Sequence, residues 1–259
     1  MGHNLYRRLL RTPKWKKVIR LLEDGACIPA IAAATMDASR QGVEQLTKDR
    51  GSIYAFWLLT QLPAAAKAED FPGQLQQIDL PISNQPSLFE LVGAYSKAVD
   101  IYVRDKANRT DFVEMVQMSA TESLTDIIGR DTPTLFKIPA SEVQKRLRKY
   151  TASEYFGNLA SKFFGKLLNR YIVSFLSAEL PNHVGPGRRF ANWEEYSRFT
   201  ESIYVYTVKV SESVEPYAAD WHSRTSTNGG ITEKKVGAFL QKAVKIISEE
   251  VGKGGGGAG

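Results

Sequence analysis

From Trp193 to Tyr217 the apolar residues fall at steps of three and four: Trp193, Tyr196, Phe199, Ile203, Tyr206, Val210, Val214, Tyr217. That spacing places them on one side of a helix and is incompatible with the alternation of a half-buried strand. It runs straight through "IYVYTVKV", whose β-branched and aromatic residues would otherwise favour a strand. The same signal recurs along the chain. Thr12 and Pro13 open a helix in which Trp15, Val18, Ile19 and Leu22 share a face, and Gly25 stands just past its end.

Capping-box patterns occur at "SLFE" (87–90), "SEVQ" (141–144), "TASE" (151–154) and "NWEE" (192–195), each placing a hydroxyl or amide residue three positions ahead of Glu or Gln. These patterns predict helices from 88 to about 106, from about 151 to 178 and from 192 to 220, and Thr110 starts another that Gly129 stops. Residues 30–48 also read as helix, and "SIYAFWLLTQL" as a helix apolar on all sides and hence deeply buried. Together they predict an all-α fold of roughly eight to ten helices in one multi-helix domain over residues 1–251. The Pro- and Gly-rich stretch 68–86 is the best candidate for an internal boundary, and 252–259 reads as a flexible Gly-rich tail.

Composition narrows the class. At 43% hydrophobic and 24% charged residues the chain has the make-up of an ordinary globular protein. The longest uncharged run, Gly51 to Ala66, contains Gln61 and Pro63 and is shorter than the roughly 20 apolar residues of a spanning helix. The single cysteine, Cys27, excludes an intrachain disulfide framework, and a cytoplasmic setting fits.

Motifs for chemistry are sparse. His3, His183 and His222 belong to no H-E-x-x-H pattern, no G-x-S-x-G occurs, and Gly165-Lys166 is followed by Leu167, not Ser or Thr. No metal ligands or cofactor are therefore expected. One acidic pattern, Asp220 and Glu233 with Lys235, could bind a divalent ion for phosphodiester cleavage, although it usually needs a strand-borne scaffold. A metal-dependent nuclease is accordingly a distant alternative.

Charge is the more informative signal. The net charge is +6, but residues 1–24 hold seven bases and two acids and residues 137–170 hold eight bases and two acids. Residues 68–131 carry eleven acids against five bases, so the chain is electrically divided. In the first helix Lys14, Lys16 and Lys17 crowd the N-terminal end and Glu23 and Asp24 the other, against the helix dipole. Arg7, Arg8, Arg11 and Arg20 extend this basic element. A second comprises Lys145, Arg146, Arg148 and Lys149, followed by Lys162, Lys166 and Arg170 at four-residue steps with no acid adjacent on their own strip. A third is "GPGRR", where Arg188 and Arg189 sit in a loop whose glycines could turn amide N–H groups toward an anion.

Such elements favour a polyanion read through its backbone. The expectation is a non-catalytic subunit that binds nucleic acid within a multi-subunit complex. Peripheral binding to an anionic membrane surface through the basic N-terminal helix is the alternative. The acidic middle could also meet the basic elements of a second copy.

Overall fold

The computed structural model describes residues 12–130 and 138–256. It is all-α, with no strand among the described residues and a single isolated bridge between Val184 and Phe190. The first four helices are α1 (Pro13–Glu23), α2 (Ile28–Ala38), α3 (Arg40–Leu46) and α4 (Arg50–Ala65). Then come α5 (Phe71–Gln77), α6 (Leu88–Lys106), α7 (Asp111–Gly129) and α8 (Ala140–Lys149). The last four are α9 (Ser153–Leu176), α10 (Trp193–Ser211), α11 (Glu215–Thr227) and α12 (Glu233–Gly256), with short 3₁₀ turns at Leu180–His183 and Glu212–Val214.

Helix α9 is the axis of the fold. Phe156, Leu159, Phe163, Phe164, Leu167, Tyr171, Ile172 and Phe175 are all buried, so most of its circumference needs a neighbour. Helices α2, α7, α10 and α11 supply them. Two glycines let its neighbours close in: a Cβ on Gly157 would lie 2.8 Å from the Glu215 carbonyl, and one on Gly165 3.2 Å from the Val208 Cα. Where α4, α9, α11 and α12 converge, Phe56 meets Phe163 at 4.8 Å and Phe239 at 5.4 Å, and Trp221 meets Phe239 at 4.4 Å. Helix α4 is buried over most of its surface, but not on all sides as its composition predicts: Ile53, Trp57 and Gln61 form a half-buried strip and Ala64 is exposed.

Helix starts follow the capping chemistry in most places. Thr12, Ser87, Thr110 and Asn192 each accept from an amide two or three residues on, as do Asp49 and Asp70, which the capping-box patterns do not flag. Two boxes are not used. Helix α8 begins directly after Pro139, and Thr151 donates back to the Arg148 carbonyl, so α9 starts at Ser153.

The predicted helix over 30–48 breaks at Ser39, whose carbonyl accepts from the buried Tyr171 hydroxyl at 2.7 Å. The predicted helix over 192–220 breaks at the 3₁₀ turn before Pro216, which has no N–H to continue an α-helical ladder. The 68–86 stretch is no bare linker: it contains α5 and sends Phe71, Leu75, Leu80 and Ile82 into the core. The expectation of a structureless tail from 252 is corrected as well. Helix α12 continues to Gly256 because its end packs on α2, where a Cβ on Gly255 would lie 2.6 Å from the Ala33 Cβ.

Candidate polyanion-binding surface

Helix α1 separates its two faces sharply. Trp15, Val18 and Leu22 are fully buried, while Lys14, Lys16, Lys17 and Arg20 are exposed. Trp15 lies 6.4 Å from Phe175, which fixes α1 against the C-terminal end of α9. Lys14 pairs with Asp37 of α2 at 2.9 Å. The hydrogen bond from Lys14, helped by its charge and by Arg40, holds the Asp37 carboxyl below its ordinary range. Lys16, Lys17 and Arg20 make no ion pair with any described residue. Arg7, Arg8 and Arg11 lie outside the described residues.

A second cation, beside Arg20 of the helix's own last turn, reaches the α1 C-terminus from the "GPGRR" loop. Gly25, at φ 70°, ends the helix in a left-handed turn that returns the Ala26 amide to the Leu21 carbonyl at 2.9 Å. Arg189 then donates to the carbonyls of Leu22 at 3.0 Å and Ala26 at 2.8 Å. Its guanidinium also lies 4.8 Å from the centre of the Phe199 ring. Burial lowers the Arg189 pKa, the expected result for a cation taken out of water.

Arg189 is thus a helix cap, not a free anion receptor. Arg188 donates to the Asn182 carbonyl, and the Gly185 amide is spent on the Phe190 carbonyl at 2.8 Å. The loop's expected anion cradle is largely satisfied from within.

The row on α9 also differs from its sequence reading. Lys166 pairs with Asp126 at 2.7 Å and Arg170 with Glu122, both acids on the antiparallel helix α7. Burial works against the Lys166 charge, but the hydrogen bond and attraction of Asp126 outweigh it and hold the Lys166 pKa above its ordinary value. Part of the acidic middle is therefore neutralised by this chain's own basic helix. Lys162 makes no ion pair with any described residue; burial lowers its pKa, and the nearby Arg130 lowers it further.

On α8, Arg146 donates to Glu142 at 2.8 Å and to the carbonyls of Ile128 and Arg130, closing the end of α7. Lys145 lies 3.6 Å from Glu142. Arg148 and Lys149 are exposed and unpaired among the described residues.

These placements decide which basic elements meet. Helix α1 and the Arg188–Arg189 loop share the C-terminal end of α9. Helix α8 adjoins its N-terminal end, where Tyr150 meets Tyr155 at 5.9 Å. At 24 residues α9 is about 36 Å long, so the free cations of α1 and α8 lie at opposite ends of the molecule. The sequence could have yielded the α7–α9 pairing, because Glu122 and Asp126 repeat the four-residue step of Lys166 and Arg170. The Arg189 cap left no comparable signal.

The candidate nuclease trio does not assemble. Asp220 pairs with Arg224, Glu233 accepts from the Tyr102 hydroxyl at 3.1 Å, and Lys235 donates to the carbonyls of Asn228 and Gly230. Among the described residues no three His, Cys, Asp or Glu side chains converge as a metal site. His222 is buried, stacked on Phe156 at 4.3 Å, with Ser153 3.2 Å from Nδ1. No helix among the described residues is long and apolar enough to cross a membrane. Comparison of the chain with models of protein families, with curated proteins and with solved structures gives no match.

Proposed function

We propose that the protein is a non-catalytic helical subunit of a larger assembly that binds a polyanion, the backbone of a nucleic acid, through the outer face of α1. The observation that carries the reading is that Lys16, Lys17 and Arg20 are exposed and, among the described residues, unpaired on a helix whose other face is fully buried. The fold spends Lys14, Arg146, Lys166, Arg170 and Arg189 on internal partners and leaves these three unspent. Arg7, Arg8 and Arg11 continue the same basic stretch in sequence. Arg148 and Lys149 offer a second contact, about the length of α9 away, for a strand long enough to span both ends.

The membrane alternative is weaker for a physical reason. A helix that lies in a bilayer interface needs an apolar face to insert. In α1 that face is Trp15, Val18 and Leu22, all wholly committed to the core.

The test is binding of short DNA and RNA at several salt concentrations, beside flotation with anionic vesicles at matched salt. Changing Lys16, Lys17 and Arg20 together to Glu should weaken nucleic-acid binding about tenfold or more and flatten its salt dependence. Unchanged binding in that variant would sink the reading, and vesicle flotation without nucleic-acid binding would replace it with the membrane one.

A further inference from the structure

Helices α7 and α9 run antiparallel, and their facing charges step in register. Glu122 faces Arg170, and one turn along α7 Asp126 faces Lys166 at 2.7 Å. One further turn along α7 is Arg130, its C-cap residue, and one further turn back along α9 is Lys162. The first two rungs are acid against base; the third is base against base.

Among the described residues no acidic side chain pairs with that rung. Arg130 and Lys162 make no ion pair or side-chain hydrogen bond with any described residue. Asp126 is committed to Lys166. The negative end of α7, which would otherwise attract these cations, is occupied by the Arg146 guanidinium on the carbonyls of Ile128 and Arg130. Glu215 of α11 is the other carboxylate whose charge reaches Lys162, and its influence ranks below those of Arg130, Asp126 and Lys166.

We infer that Arg130 and Lys162 form a receptor for one phosphate group, supplied by inorganic phosphate or a terminal phosphomonoester, which completes the α7–α9 charge ladder. A planar guanidinium offers two parallel N–H donors to a phosphate edge, and an ammonium opposite it supplies a point charge. The anion takes the place that Glu122 and Asp126 hold on the preceding rungs. This site is independent of the α1 surface, and the two are separated by distinct substitutions.

The experiment is thermal unfolding of the full chain in inorganic phosphate against chloride at equal ionic strength. Phosphate should raise the Tm, by about 3–5 °C once it exceeds its Kd roughly tenfold, and further with the logarithm of its concentration. Arg130→Gln and Lys162→Gln should each abolish the rise, whereas a Lys16→Gln, Lys17→Gln, Arg20→Gln triple variant should keep it. Lys162→Glu should raise the Tm without phosphate, because it converts the third rung to acid against base, and should remove the response. A nucleoside 5′-monophosphate tighter than inorganic phosphate identifies a monoester as the natural source, and equal affinity identifies the free ion. The inference is overturned if wild type shows no response, if the response survives in Arg130→Gln and Lys162→Gln, or if the unphosphorylated nucleoside reproduces it.

Discussion

Arg189 donates to the main-chain oxygen of Leu22 at 3.0 Å, joining residues 167 positions apart in sequence. The contact resolves the charge order of α1. A helix with Glu23 and Asp24 at its C-terminal end would oppose its own dipole, and a guanidinium from a distant loop restores the balance. Arg189→Met should therefore destabilise the fold by about 2–3 kcal/mol, since it strands half-buried carbonyls and removes a cation from a helix end. Arg189→Lys should recover only part of the loss, because one ammonium cannot reproduce the fork that spans Leu22 and Ala26. Chemical denaturation measures both; a loss below about 0.5 kcal/mol would show the contact to be incidental.

The lysines at the start of α1 separate into two kinds. Lys14 is held by Asp37, whereas Lys16 and Lys17 have no partner among the described residues. Lys14→Glu should lower stability by about 0.5–1 kcal/mol, through a lost surface pair and a new repulsion. Lys16→Glu and Lys17→Glu should each leave stability unchanged or raise it by roughly 0.3–1 kcal/mol, because acids suit a helix N-terminus. Equal losses at all three positions would mean that the fold depends on the whole basic cluster.

Local rules made most helices legible in the sequence. Thr12, Ser87, Thr110 and Asn192 cap where their side chains reach the next turn's amides, and Leu88–Lys106 begins and ends where the spacing predicts. Errors arose where tertiary contacts competed with local pattern. Ser39 ends α2 with its carbonyl taken by Tyr171, 132 residues away, and the glycines after Val251 stay helical because Ala33 and Pro29 lie against them. The candidate surface was legible as composition but not as availability. Lys16 and Lys166 look alike in sequence, and only the placement of Asp126 distinguishes a free cation from a paired one.

His222 should govern the response to mild acid. Burial, with a smaller push from Lys67, lowers its pKa to about 4. An unfolded histidine titrates near about 6.5, so below that pH the unfolded chain takes up a proton that the folded chain refuses. Stability is then full above about pH 6.5 and falls as the pH drops toward 4, by roughly 2–3 kcal/mol in all. His222→Gln should start lower at pH 7, having lost its packing on Phe156, yet show a shallower decline between pH 6.5 and 4.5. Denaturant titrations at three pH values give the two slopes, and equal slopes would assign the acid sensitivity to other groups.

The end of α12 offers a test of whether its glycines are tolerated or required. Glycine in a helix interior costs up to about 1 kcal/mol relative to alanine, so a run of them persists only where packing compensates. At Gly252 an added Cβ would meet nothing within 4 Å. Gly252→Ala should accordingly stabilise the fold by up to about 1 kcal/mol. At Gly255 the same methyl would lie 2.6 Å from the Ala33 Cβ, closer than two carbons can approach, and both atoms are anchored to helix backbone. Gly255→Ala should force α12 away from α2 and cost about 1–3 kcal/mol despite its better helix propensity. Opposite signs from one chemical change, three residues apart, are what close packing of this last turn requires. If Gly255→Ala stabilises as Gly252→Ala does, the turn does not rest on α2 and the glycines there are merely permitted.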